Sequence, residues 1–122
     1  MKALEEIWPF MPELHLFHSQ DKADRFIRKN FDKRPLFTGE DGQTWYEDGM
    51  AVILMTTPPE TDWHADAALL VHEAYHVVSE HYAYLGEERP SQEFMAYGMQ
   101  VVSEALFEAH DRWKSKRIEV GE

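Results

Sequence analysis

The chain has 122 residues, one domain's worth, and no cysteine, which excludes a disulfide framework and any thiolate metal site. Twelve Lys and Arg stand against 23 Asp and Glu, a net charge of −11, and between residues 35 and 110 a single basic residue, Arg89, faces 14 acids. Such a field attracts cations and repels phosphates, so no nucleic-acid partner is expected.

No apolar run approaches the length of a bilayer span. The opening MKALEEIWPFMPEL mixes acids and prolines with its apolar residues, unlike a signal peptide. The expectation is a soluble, cytoplasmic protein with no membrane partner. Apart from Lys2, the remaining basic residues cluster at the two ends, Lys22 to Arg34 and Arg112 to Arg117. They read as solvated helix faces, with a docking surface for an acidic partner as the alternative.

In chain order, Leu14–His18 (LHLFH) is a short apolar run and reads as a strand. Ser19 or Asp21 caps a helix over about Lys22–Asn30 that buries Ala23, Phe26 and Ile27. Gly39–Gly42 (GEDG) is a turn signal. Thr44–Glu47 and Met50–Thr57 read as two strands joined at Asp48-Gly49, a strong hairpin signal. The continuous apolar run Ala51–Met55 (AVILM) suits a well-buried strand, and two placements of it stay open, a sheet edge or the sheet centre. Pro58 and Pro59 end it. Thr61 or Asp62 caps a long helix over roughly Trp63–Tyr84, and Gly86 ends that helix. A second helix, capped at Ser91, runs to about Lys114. With no repeat, linker or low-complexity tract, residues 1–122 form one α+β domain: a small twisted sheet packed on two long C-terminal helices.

The first long helix carries His72-Glu73-Ala74-Tyr75-His76. Histidines at i and i+4 lie one turn apart on one face, so their imidazoles can meet one ion, and Glu73 beside them can reach a water on it. Glu93, near the start of the second helix, is the expected third donor, facing the histidines across a helical hairpin. Two His and one carboxylate leave a fourth position open, which is the catalytic zinc arrangement. Glu87 and Glu88 lie in the loop between the helices. His64 is a lesser alternative, and His81, nine residues from His72, points to another side. Glu93, Tyr97, Gln100 and Glu104 form a polar stripe that a packed helix should not bury unpartnered. Hydrogen bonds to the far nitrogens of His72 and His76 would satisfy part of it, and Tyr97 would otherwise donate to an oxyanion.

At Leu69–Glu108 the chain resembles the gluzincins, thermolysin-like metallopeptidases with HExxH on one helix and a Glu ligand on the next. It also looks like small HExxH proteins of tailed phages and prophages, which share the run seen here at Glu93–Gln100 (EFMAYGMQ). The resemblance implies a zincin-like fold and zinc held by His72, His76 and Glu93. It further implies a peptide or protein substrate hydrolysed with Glu73 as general base and Tyr97 assisting. One departure is that thermolysin-like enzymes carry an Asp four residues after the Glu ligand, where this chain has Tyr97. The orienting carboxylate must then come from elsewhere. The rival expectation is a non-catalytic metal-binding protein on the same scaffold, since 122 residues hold no second subdomain to wall a cleft. A protein partner would have to supply that wall. A metal-free helical interaction domain is the third reading.

Overall fold

A computed structural model describes residues 11–33 and 37–119. Residues 1–10, most of the segment read above as unlike a signal peptide, lie outside the described residues. The fold is α+β, in the order β1 (Glu13–Phe17), α1 (Gln20–Phe31), β2 (Gly42–Glu47), β3 (Met50–Met55), α2 (Trp63–Tyr84) and α3 (Gln92–Glu119).

Each boundary has a local cause. Ser19 caps α1 by accepting the Lys22 N–H at 3.4 Å, and Asp32, in the left-handed region at φ 51°, ends it. Asp48 and Gly49 both have positive φ, 50° and 84°, as a two-residue type I′ hairpin turn requires. At the end of α2, Gly86 has φ 88°. The Glu87 N–H reaches back to the Tyr82 carbonyl at 2.8 Å and the Gly86 N–H to the Ala83 carbonyl at 3.1 Å. That is a Schellman motif, and it uses carbonyls the helix end would otherwise leave orphaned. Ser91 caps α3 by accepting the Phe94 N–H at 3.1 Å. This last helix runs to Glu119, past the expected Lys114.

The sheet is mixed, with strand order β1-β3-β2. β3 pairs parallel with β1 and antiparallel with β2. It is therefore the central strand, and the open placement of Ala51–Met55 resolves against the sheet edge. The cause is visible in its packing. Ala51, Ile53 and Met55 face the main core, with Leu70, Ala74 and Val77 of α2 and Val101, Val102 and Leu106 of α3. Val52 and Leu54 point the other way, onto Ala23 and Ile27 of α1. A strand buried on both faces reads as a continuous apolar run rather than an alternating one. Each Val, Leu, Ile and Met side chain among these contributes roughly 1.5–3 kcal/mol by leaving water.

Two contacts fix how α2 and α3 lie against each other. The Tyr82 hydroxyl donates to the Phe94 carbonyl at 2.5 Å, and His110 Nε2 meets Asp66 Oδ2 at 2.8 Å. Both contacts span the same number of residues on each helix, so the pair is antiparallel and unbroken in register. None of the described helices is long and apolar enough to cross a membrane.

Candidate metal centre

α2 holds His72, Glu73 and His76 in consecutive turns against β2, the edge strand. The Nε2 atoms of His72 and His76 are 3.3 Å apart, with their rings inclined at 72°. Both rings are exposed to solvent. Two imidazole nitrogens each about 2.0–2.1 Å from one tetrahedral zinc are themselves about 3.3 Å apart. The spacing of the pair therefore matches that of two ligands on one tetrahedral ion.

The two rings open onto a cavity of about 400 Å³. One wall is α2, presenting His72, Glu73, His76 and Glu80, and the other is β2 with Glu40 just ahead of it. Among the described residues no Lys or Arg lines it. Glu73 is only 2% exposed. Its Oε1 accepts a hydrogen bond from Thr44 Oγ1 at 2.8 Å, which ties the carboxylate to the strand. A methyl group on Gly42 would stand 3.0 Å from the Leu69 side chain and 3.1 Å from Glu73 Oε2. Gly42 opens β2 as a strand residue rather than lying in the expected turn, and its missing side chain leaves the carboxylate its room.

Tyr46 of β2 lines the same cavity. Its hydroxyl lies 2.5 Å from Nδ1 of His81, a residue of α2 that is 3% exposed. Burial, with Tyr84 close by, pushes the Tyr46 phenol up to about 12, so it keeps its proton at neutral pH. His81 is not among the residues lining the cavity and meets Tyr46 instead. Its partnership with a strand tyrosine was not legible, because nothing local links positions 46 and 81.

Glu93 and Tyr97 are not brought into this cavity. The register of α2 on α3 gives the reason. Counting back from the Tyr82–Phe94 contact, the residue opposite His76 is Gln100, and Glu93 lies opposite Ala83. At 1.5 Å per residue that places Glu93 about 10 Å along the helix axis from His76. Glu93 is exposed, and Tyr97 packs half-buried against the main core. The polar stripe is accommodated without burial, since Gln100 is exposed and Glu104 half-buried. His64 is exposed, 4.0 Å from Asp62. Among the described residues, no three His, Asp or Glu side chains converge closely enough to hold an ion. The two histidines are in place, and a third protein donor is not.

A second polar cluster escaped sequence reading. Asp66, buried in the first turn of α2, accepts from His110 Nε2 at 2.8 Å, Lys114 Nζ at 3.1 Å and Thr57 Oγ1 at 3.1 Å. Burial pushes its carboxyl up, but these donors more than offset that and hold it below the usual carboxylate value. His110 Nδ1 lies 2.9 Å from His18 Nε2, and the His18 ring stacks flat on Trp113 at 3.8 Å. Burial, with His110 and Arg117 nearby, lowers His18 to about 4. The cluster pins the β1–α1 loop and the start of α2 to the far half of α3.

Models of known protein families, curated proteins and solved structures give no match to this chain. The functional reading therefore stands on the site itself.

Proposed function

We propose that the protein is a zinc-dependent hydrolase of peptide or amide bonds, built on a zincin-like scaffold. The observation that carries this reading is the 3.3 Å spacing of the His72 and His76 nitrogens, with the Glu73 carboxylate in the same cavity. His72 and His76 would hold the ion, and zinc there would lower the pKa of a water to about 7 and polarise the substrate carbonyl. Glu73, anchored by Thr44, would accept the proton of the attacking water as it adds to the carbonyl carbon. It then passes the proton to the departing amine as the C–N bond breaks. β2 pairs with β3 on one side, and its other edge is open among the described residues. An extended peptide can add to that edge by backbone hydrogen bonds and pass over the histidines. The acids Glu40, Glu73 and Glu80 favour a substrate with basic side chains.

The third donor expected from sequence is Glu93, and the helix register keeps it away. Our proposal for this role is Glu40. It lines the cavity beside His72 and Glu73 just ahead of β2, and its exposed side chain can turn while its backbone stays tied to Thr56. The test is zinc titration by calorimetry. The parent should bind one zinc per chain. His76→Ala and Glu40→Gln should each weaken binding at least tenfold, and Glu93→Gln should leave it unchanged. Loss of binding in Glu93→Gln alone would restore the sequence expectation, and no zinc binding by the parent ends the metal reading. Glu73→Gln should keep zinc and lose peptide hydrolysis.

A second reading is favoured by one observation, the missing convergence of three protein donors. In it the protein is a metal-binding scaffold without turnover, and a protein partner completes the cleft. Zinc binding with equal, background hydrolysis by parent and Glu73→Gln would establish it.

A further inference from the structure

We infer that the outer edge of β1, overhung by the basic flank of α1, docks an extended acidic segment of a partner protein as a further strand of the sheet. The inference needs no metal and no turnover, so it stands apart from the hydrolase reading.

β1 is the sheet edge opposite to β2. The Glu13 N–H donates to the Gly49 carbonyl at 2.9 Å, so by the alternation of a strand Glu13, His15 and Phe17 spend their backbone groups on β3. Leu14 and Leu16 turn theirs outward, and among the described residues nothing pairs with them. Edge strands are commonly blunted by a lysine, a proline or a bulge. Glu13–Phe17 has none of these, its pairing with β3 is unbroken, and its one acid, Glu13, meets His15 at 2.6 Å. Phe26 of α1 lies against His15 and Phe17, with ring centroids 4.3 and 5.3 Å away, and so marks the side of α1 that faces β1. Lys22 stands four residues before Phe26 and Lys29 three after it, which puts both on that side of the helix. Lys22, Lys29 and Arg25 beside them are exposed, and none holds an ion pair among the described residues.

Charge selects the occupant. α1 carries Lys22, Arg25, Arg28 and Lys29 against Asp21 and Asp24, in a chain of net charge −11. The side chains of an added strand alternate between the two faces of the sheet. Those on the α1 face pass beneath Lys22 and Lys29, which favours Asp or Glu there. Those on the other face continue the row of Leu14 and Leu16, which pack on the main core, and aliphatic residues are favoured. The β2 edge has the opposite preference, because Glu40 and Glu80 stand beside it, so charge sorts peptides between the two edges. Three other occupants fit less well. A second copy pairing its β1 antiparallel about a two-fold axis would bring the two basic α1 flanks side by side. A nucleic acid runs beyond the ~18 Å of α1 and into the field of the acidic remainder. A membrane would meet no large apolar side chain ready to insert, because the exposed ones, from Trp63 to Phe94, all lie outside β1 and α1.

The test uses a capped heptapeptide of alternating Glu and Val, with calorimetry for affinity and amide hydrogen exchange for location. On binding, the Leu14 and Leu16 amides should exchange about tenfold more slowly, while the His15 amide, already bonded to β3, changes little. Lys22→Glu combined with Lys29→Glu should weaken binding about tenfold, and rising salt should weaken it in the parent. A heptapeptide of alternating Lys and Val should leave Leu14 and Leu16 unprotected. No binding of the Glu–Val peptide by the parent, equal binding by the double variant, or protection at β2 in place of β1 each overturns the proposal. Protection of Leu14 and Leu16 that grows with the concentration of the free protein assigns the edge to a second copy and overturns it too. So does stronger protection by a DNA duplex or by phosphatidylserine vesicles than by the peptide. All of these readouts are independent of zinc and of Glu73, so the hydrolase reading stands or falls separately.

Discussion

Gly42→Ala is the substitution that most directly asks whether β2 is shaped around Glu73. The added methyl would meet Leu69 Cδ1 and Cγ at 3.0 Å and Glu73 Oε2 at 3.1 Å. Ordinary carbon contacts begin about 0.5 Å further out. Gly42 has no positive φ, so its backbone accepts alanine and only the contacts resist. Leu69 is half-buried and can turn aside, which sets the stability cost near the lower end of the overpacking range, about 1–2 kcal/mol. The carboxylate has less freedom, because Thr44 holds its other oxygen at 2.8 Å. A shift of a few tenths of an ångström in a general base costs on the order of tenfold in rate, given about 10²-fold for a full ångström. The assay is steady-state cleavage of a quenched-fluorescent peptide rich in Lys and Arg, beside urea denaturation and zinc calorimetry. The expected result is kcat lowered about tenfold, KM and zinc affinity little changed, and a stability loss of about 1–2 kcal/mol. Adding Leu69→Ala relieves the Leu69 contacts but not the one to Glu73. If that double variant regains full turnover, the effect ran through the helix and the reasoning about the carboxylate is refuted. Unchanged turnover in Gly42→Ala alone refutes it more simply.

Two further outcomes are expected. Thr44→Val removes the hydroxyl donor to Glu73 Oε1 and leaves a buried carboxylate short of a partner. It should cost about 1–3 kcal/mol in urea melts and lower kcat while zinc affinity holds; a fully active, equally stable variant would show that Thr44 anchors nothing. The folded state holds His18 at about 4, below its ordinary 6.5, so the native protein prefers the ring neutral. Its contribution is complete above about pH 6.5 and drains away as pH falls toward 4, by roughly 1–3 kcal/mol after allowing for partial exposure. Asp66, with its carboxyl lowered, loses its own contribution only below the ordinary 3.8. Urea midpoints measured from pH 7.5 to 4.5 should therefore slope down in the parent and flatten in His18→Phe; parallel slopes would contradict the assignment.

The elements were legible where local chemistry decides them. Ser19, Asp48-Gly49, Gly86 and Ser91 each act within a few residues of their own position, and all four do in the fold what they signal in the sequence. The His72–His76 pair was legible for the same reason, since i and i+4 share a face in any α-helix. Strand order was not, because AVILM is equally apolar at the centre of a sheet or at a covered edge. The placement of Glu93 failed on a countable quantity. α2 continues eight residues past His76 before it ends at Tyr84, so the chain must return by about as many before it comes level again. That brings Gln100, not Glu93, opposite His76. The Asp66–His110–His18 cluster and the Tyr46–His81 pair join residues 35 to 92 positions apart, and no spacing rule reaches that far.

The cost of Glu73 is itself an argument for function. A carboxylate that is 2% exposed gives up its hydration, and one neutral hydroxyl is weak compensation. Asp66, buried to the same degree, shows what this chain does with a structural carboxylate: it surrounds it with His110, Lys114 and Thr57. Among the described residues Glu73 has no Lys or Arg beside it, in a cavity whose other acids are Glu40 and Glu80. A helix position chosen for stability alone would carry an apolar residue there, as Ala74, Val77 and Val78 do on the neighbouring buried face. The deficit at Glu73 is offset if a divalent cation sits at the His72–His76 pair, because the same charge that is costly without the ion becomes favourable beside it. Buried carboxylate, open histidine pair and vacated Cβ at Gly42 then have one common explanation.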